Sequence, residues 1–219
     1  MTLKLNGSSS GSVSIDAPAS TTLGADRTLT LPDDASNGVI KTSTYPSSIQ
    51  VLEQFFTPCD GSVIATNKGN VTVGDVNAAQ DISTSYADVT GSSISYTPPT
   101  GTTQVIYEYL FQYTGIDAQP ITHFKLFLDS DEVAQGRRSC YFESYDNWNT
   151  IKWGFNIGGS ADTNVGRVAS WSSAKTIKLQ VREYSSSHEA ILHRTELWDG
   201  STGQHFSIPS IGITAIGAA

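Results

Sequence analysis

The feature that most constrains the fold is an alternation of apolar and polar residues, with a period of two, in several segments after residue 59. In residues 122–128, apolar side chains alternate with His123 and Lys125. Residues 175–184 alternate in the same way, with Ile177, Leu179 and Val181 on one face and Lys178, Gln180 and Arg182 on the other. A period of two places successive side chains on opposite faces of a strand. Each segment therefore predicts an antiparallel strand with one buried face.

Two further segments, 190–198 and 206–216, continue the pattern and predict two more strands. Turn-forming residues lie between the segments, at 98–101, 129–131, 158–159 and 199–200. The 29 Ser and 24 Thr, together with 19 Gly and 8 Pro, also favour short strands and turns over helices. About 160 residues of this kind predict an all-β fold, an antiparallel jelly-roll sandwich.

Residues 103–113 are unusual because they are apolar on both faces of the predicted strand. One face carries Val105, Tyr107, Tyr109, Phe111 and Tyr113. On the opposite face, Ile106 and Leu110 alternate with Glu108 and Gln112. The outer face of a solitary sandwich is polar, so we predict that a long loop or a neighbouring subunit buries this second face. Oligomers of sandwiches bury such faces at their common axis.

The composition changes near residue 47, which predicts a boundary between two parts of the chain. Residues 1–48 contain no Trp or Phe and one Tyr. Their apolar residues form short pairs between turn-formers, namely Leu3/Leu5, Val13/Ile15, Leu29/Leu31 and Val39/Ile40. So little apolar surface does not offset a backbone ordering cost of about 1–2 kcal/mol per residue. We therefore predict a β-rich anchor or stalk over 1–48, completed by strands of other chains, and a jelly-roll head over 49–219. A flexible tail is the alternative for residues 1–48.

Residues 47–57 fit two kinds of local structure. Ser47 and Gln50 match the capping box of a short helix, whereas Ile49, Val51 and Phe55 fit the period of a strand. The β-rich surroundings favour the strand.

The net charge of −8 and a pI near 4.8 argue against a nucleic-acid binder and against a surface that seeks anionic lipid. The polar start, residues 1–10, lacks the apolar region of an export signal, and no stretch approaches the roughly 18 apolar residues that span a bilayer. We therefore expect folding in a cytosol and no membrane insertion. Cys59 and Cys140 have no zinc-ligand spacing and are expected to be free thiols packed in strands.

Three motifs that resemble catalytic or metal-binding patterns have simpler interpretations. Residues 7–11 match the G-x-S-x-G nucleophile elbow, but the residues that follow have strand spacing where the elbow needs a helix. Asp129, Asp131 and Glu132 could bind calcium, although three acids after a strand more often form a solvated turn. The four histidines have no metal-ligand spacing. The sequence predicts no catalytic residue, no metal and no cofactor.

The aromatic-rich segment 140–153 contains the candidate binding residues. Tyr145, Asp146 and Trp148 are expected in a polar aromatic turn, where rings would cover the apolar side of a sugar and Asp146 would bind hydroxyls. In the alternative interpretation, Tyr141, Trp148 and Trp153 lie in the core or between subunits, and Asp146 and Asn147 form the turn. Trp171 and Trp198 are expected in the core or at an interface.

Two stretches carry a resemblance to known proteins. Residues 83–98 read STSYADVTGSSISYTP and resemble a segment common in bacteriophage fibre and appendage proteins, in which a long apolar strand follows. Here 105–111 would be that strand. Residues 208–217 read IPSIGITAIG and are similar to the closing strand of the same domains. The segment from LNGS at 5–8 to LTLP at 29–32 is similar to the openings of structural proteins from marine tailed phages.

The resemblance implies a homotrimeric head like that of tumour necrosis factor domains, attached to other virion proteins through the N-terminal segment. It implies a virion component assembled in the host cytoplasm, not an enzyme, and leaves open a tail fibre, a head fibre or a capsid decoration. Host cell-surface glycan is a further candidate partner. A carbohydrate-binding receptor module is the alternative function, and a polysaccharide hydrolase is the second alternative. No pair of facing carboxylates supports the hydrolase.

Overall fold

A computed structural model describes residues 2–6, 12–16, 49–116, 119–141, 145–198 and 201–218. Backbone contacts divide the chain into two units, Met1–Tyr45 and Pro46–Ala219. In the first unit, β1 (Thr2–Asn6) and β2 (Ser12–Asp16) pair as an antiparallel hairpin. The first two predicted apolar pairs lie on these strands, whereas Leu29/Leu31 and Val39/Ile40 fall outside the described residues.

The second unit is built almost wholly from strands, with two short 3₁₀ turns at Ala134–Gly136 and Thr163–Val165. The strands are β3 (Gln50–Pro58), β4 (Val63–Thr66), β5 (Gly69–Thr72), β6 (Gln80–Asp81), β7 (Ala87–Asp88), β8 (Ile94–Tyr96), β9 (Thr102–Gly115), β10 (Ile121–Leu128), β11 (Asp131–Glu132), β12 (Arg138–Tyr141), β13 (Tyr145–Asn156), β14 (Lys175–Glu183), β15 (Ala190–Leu192), β16 (Arg194–Trp198), β17 (Ser201–Phe206) and β18 (Ser210–Gly217). The expected strand at 47–57 is confirmed as β3.

The strands form two main antiparallel sheets with jelly-roll order. The first sheet runs β3-β18-β9-β13; β15 pairs with the last residues of β9, and β6 pairs with β15. The second sheet runs β8-β14-β10-β12, with β7 beside β14 and β11 beside β10. If β7 and β8 count as one interrupted strand, the eight main strands are ordered 1-8-3-6 in one sheet and 2-7-4-5 in the other. This order defines a jelly roll, so the predicted all-β antiparallel sandwich is confirmed.

The core lies between the two sheets, where the alternation predicts it. The inward side chains of β9 from Val105 to Tyr113 are buried, as are Phe124, Leu126, Ile177, Leu179 and Val181 of the second sheet. The rings of Phe111 and Phe124 meet across the layers, with their centroids 5.4 Å apart. Apolar faces at a period of two are thus removed from water on both sides of one core.

The opposite side of β9, hereafter the outer face of the first sheet, is shielded unevenly. At one end Gln112 and Thr114 are buried, and β16 contacts both β9 and β13 there. Further along, Ile106 and Leu110 are half-buried. Because their partners across the sheet are small, including Gly154 opposite Ile106, neighbouring strands cover them only in part.

Three predicted segments differ from the structure. Residues 190–198 form β15 and β16, because His193 adopts a left-handed backbone with φ 60°. Residues 206–216 likewise divide, and residues 207–209 separate β17 from β18. The expected aromatic turn at Tyr145–Trp148 is instead the start of β13, which pairs with β9 along twelve residues. Pairing with a distant strand overrides the local turn preference of Asp and Asn.

Both cysteines are free, but only Cys140 lies within a strand, since Cys59 follows the end of β3. In the described part of the chain, no helix has the length and apolar character needed to cross a membrane.

Candidate binding surfaces

The three residues predicted to bind sugar lie at one end of β13, but they do not form a single open site. The carboxylate of Asp146 accepts hydrogen bonds from the Thr195 hydroxyl and from the Glu196 N–H, which ties β13 to β16. Trp148 lies two residues further along the same face and is 55% exposed. Tyr145 begins the strand, and its side chain lies outside the described residues. Asp146 therefore has a structural role, and its role in sugar binding stays a prediction.

The acidic cluster at 129–132 is held by cations of the protein itself. Asp129 accepts hydrogen bonds of 2.8 Å from both the Lys175 ammonium and the Thr176 N–H. Partial burial is the largest single effect and raises the pKa of Asp129, but the hydrogen bonds from Lys175 and Thr176 and the charge of Lys175 together outweigh it, so the net pKa is lowered. The Glu132 carboxylate forms ion pairs with Arg137 and Lys125. Both lower the pKa of Glu132, and the Arg137 contact has the larger effect. Among the described residues no group of three His, Cys, Asp or Glu is placed to hold a metal ion.

Two histidines pair with serines, but neither pair forms a catalytic triad. His123 Nδ1 lies 2.8 Å from the Ser139 hydroxyl, and His188 Nδ1 lies 2.8 Å from the Ser185 hydroxyl. Burial and the nearby Arg182 guanidinium lower the pKa of His123. Within the ranges that the structure covers, no carboxylate hydrogen-bonds either ring, so the orienting third group of a triad is missing from both pairs.

The two thiols are poor nucleophiles. Burial, with a smaller contribution from Asp60, raises the pKa of Cys59 to about 12. Burial also raises the pKa of Cys140, whose sulfur accepts a hydrogen bond from the Asn149 amide. Since the thiolate is the reactive form, both cysteines are structural residues.

Two neighbouring grooves that the sequence analysis missed lie on either side of Lys68, at the tip of the β4–β5 hairpin. The first has a volume of about 370 Å³, and its lining includes Thr66, Asn70, Thr72, Ser95 and Thr97. The second has a volume of about 330 Å³, and its lining includes Pro98, Pro99, Thr100, Ser170 and Trp171. Both volumes lie within the range of ligand sites. The turn-like Asn-Lys-Gly at 67–69 marks the hairpin in the sequence, but not the segments that it meets.

A third and shallower groove of about 230 Å³ lies beside the β16–β17 hairpin and is lined by Asp81, Arg194, His205 and Phe206. The Arg194 guanidinium is paired with Glu196 and the groove also contains Asp81, so its charges offset one another.

Comparisons with known proteins give no family. No protein-family model matches the chain, and no curated protein matches it. Among solved structures, the infectious bursal disease virus Gx strain aligns with a TM-score of 0.33 and 10% identity, over 95% of this chain and 53% of that chain. The VP2 subviral particle of the same virus aligns with a TM-score of 0.32 and 11% identity, over 95% of this chain and 51% of that chain. This chain thus spans about half the length of those chains.

Black queen cell virus gives a TM-score of 0.19 at 10% identity, over 94% of this chain and 88% of that chain. An exo-beta-agarase aligns with a TM-score of 0.20 and 12% identity, over 80% of this chain and 24% of that chain.

Proposed function

We propose that this chain is a structural protein of a virion, a homotrimeric phage fibre or a capsid or tail appendage. In this proposal the N-terminal segment 1–48 contacts other virion proteins, and the jelly-roll head from residue 49 points outward. The observation that carries the proposal is the outer face of the first sheet, which leaves large apolar side chains in water when the subunit is alone. Phe56 is 52% exposed there and Trp148 is 55% exposed.

The shape of the outer face suits packing between copies of the chain. Small residues lie between the exposed rings, and at Gly212 a Cβ atom would come within 2.5 Å of the Phe56 ring. The two charged residues at the centre, Glu108 and Lys152, form an ion pair of 2.8 Å. Burying this surface against a copy of itself costs less than burying one with unpaired charges, because the two charges at its centre already neutralise each other.

The edge of the first sheet offers a second kind of contact between copies. Within the described ranges, β3 pairs only with β18, so its other edge presents free backbone N–H and C=O groups. Ile49 and Val51 near the start of β3 are exposed. A strand from another copy would satisfy these groups and cover these side chains. The β1–β2 hairpin supports a β-rich anchor that is completed in the same way.

The molar mass of the full chain in solution tests the trimer. We expect light scattering to give about three times the 23.4 kDa of one chain. A monomer at micromolar concentration would contradict the proposal. Cryo-electron microscopy of the particle then tests the virion role, because the appendage should be seen at a fixed position with matching density.

A carbohydrate-binding module is the second candidate function, favoured by the exposure of Trp148. If this ring binds sugar instead of packing against another copy, glycan-array signals should disappear in Trp148→Ala while the molar mass does not change. Unchanged signals would exclude Trp148 from a sugar site. We propose no catalytic role, and depolymerisation of a host polysaccharide by the purified protein would overturn that view.

A further inference from the structure

We infer that the two grooves beside Lys68 bind an acidic oligosaccharide, with the Lys68 ammonium against an anionic group of the sugar. The inference rests on the proposed appendage function, which brings exposed grooves to a cell surface. It places the ligand away from the residues that the sequence suggested, Tyr145, Asp146 and Trp148.

Lys68 is held in place at the boundary between the grooves. Its ammonium donates a hydrogen bond of 3.1 Å to the Thr100 hydroxyl, which joins the tip of the β4–β5 hairpin to the turn before β9. The preceding residue is fixed too, since the Asn67 N–H donates to the Glu53 carboxylate at 2.7 Å. A lysine whose ammonium is hydrogen-bonded, and whose neighbouring backbone is also held, loses less conformational entropy on binding than a free lysine does.

The charge of Lys68 is not balanced by the protein. In the portion of the chain that the structure covers, no carboxylate lies within ion-pair distance of its ammonium. The Glu53 carboxylate nearby accepts from the Asn67 N–H and from the Tyr96 hydroxyl and forms no ion pair with Lys68. Although the net charge of the chain is −8, a lysine without an ion pair between two grooves locally favours a ligand that brings its own negative charge.

The groove walls match the two sides of a sugar ring. In the first groove Thr72, Ser95 and Thr97 supply hydroxyls, each able to donate and accept. In the second groove the half-buried Ile157 and the exposed Ala169 supply apolar surface. The two grooves are neighbours, because Lys68 lines both and adjacent parts of the segment 95–102 line each of them. A chain of sugars can therefore lie along this segment and pass Lys68, with polar contacts on one side and apolar contacts on the other.

The experiment measures binding of three hexasaccharides to the full-length protein by calorimetry. One is a uronate from alginate, one is a sulfated carrageenan and one is neutral cellohexaose. We expect binding of at least one acidic probe, about tenfold tighter than that of the neutral one. The comparison of uronate with sulfate identifies the anionic group. Binding of neither acidic probe, or equal binding of all three, would overturn the inference.

Substitutions then locate the site. Lys68→Gln should weaken binding of the acidic probe about tenfold, and Lys68→Arg should restore this binding. Thr100→Val removes the hydrogen bond to the Lys68 ammonium but keeps the charge. It should weaken binding of the acidic probe by less than about threefold. Ala174→Phe, which fills the first groove, should weaken binding with the charge intact. Lys178→Gln, which removes the same charge from the second sheet, is the matched control.

Binding that survives both Lys68→Gln and Ala174→Phe would show that the sugar binds elsewhere. A molar mass measured on the same samples separates this result from failure of the proposed function. An oligomer that binds no acidic sugar refutes only the site, whereas a monomer refutes the appendage itself.

Discussion

His193 shows how a single residue can determine both a break in a strand and a pH dependence. It is fully buried, with φ 60°, and its ring meets Tyr109 edge-on at 6.4 Å between centroids. Its backbone N–H donates to the Gln112 carbonyl and its carbonyl accepts from the Ser207 N–H, which holds the left-handed turn. Burial lowers the pKa of His193 to about 4, so the ring is neutral in the folded protein at neutral pH.

We expect His193 to make the protein less stable in acid. The unfolded chain takes up this proton near pH 6.5, whereas the folded chain does so only near the lowered pKa of about 4. The stability from the neutral ring is therefore complete above about pH 6.5 and is lost as the pH falls to about 4, with a size of up to about 3 kcal/mol.

In His193→Asn, which tolerates the left-handed backbone, the free energy of unfolding should fall less over the same pH range. Urea denaturation at several pH values measures this difference. His205→Gln, at an exposed histidine, is the control, and equal slopes in all three proteins would contradict the assignment.

The buried Cys59 should resist modification. With its pKa raised to about 12, less than about one thiol in a thousand is ionised at pH 8. We expect Ellman's reagent to leave Cys59 unmodified in the folded protein and to react with it after unfolding in guanidinium. Peptide mass spectrometry distinguishes Cys59 from Cys140. Rapid labelling of Cys59 in the native state would show that this site opens.

At the scale of elements, the second strand of the jelly roll is interrupted, and a serine fills the gap. Between β7 and β8 the Ser92 hydroxyl donates to the Val89 carbonyl at 2.8 Å and accepts from the Leu179 N–H at 3.1 Å. The Leu179 carbonyl accepts in turn from the Val89 N–H. The side chain of Ser92 thus takes the place of a backbone group next to β14.

Ser92→Ala should destabilise the protein by about 1–3 kcal/mol, because the buried Leu179 N–H loses its acceptor. Urea denaturation measures the loss, and faster hydrogen exchange of the Leu179 amide locates it. Ser95→Ala, at an exposed position of β8, should leave both measurements unchanged. If Ser92→Ala is as stable as the parent, the role assigned to this hydroxyl is wrong.

At the scale of the whole molecule, the outer face of the first sheet should hold the copies together. Trp148→Lys places a charge among apolar side chains and should shift the molar mass from the oligomer towards 23.4 kDa. Tyr141→Lys is the matched control, since Tyr141 is an aromatic residue with the same exposed fraction, 55%, on β12 of the second sheet. Dissociation by both variants, or by neither, would contradict this choice of interface.

The part of the fold that the sequence predicts is the part that follows from local alternation. The segments at 103–113, 122–128 and 175–184 all form strands with the expected buried faces, because burial of one face requires the period of two. The candidate sites were less predictable. The sequence predicts Asp146 as a sugar ligand, whereas in the structure its carboxylate accepts a hydrogen bond from Thr195, 49 residues away. No local pattern encodes such a contact.

By itself the sequence determined the β class, the alternation of buried faces and the acidic balance, because these depend on residue type and on spacing along a few residues. Only the tertiary structure decided that His193 ends a strand, that Tyr145–Asn156 extends one, and that Lys68 stands between two grooves. Each of these depends on backbone partners or surfaces contributed by segments far apart in the chain. Their meeting is a property of the packed sheets and of no single segment.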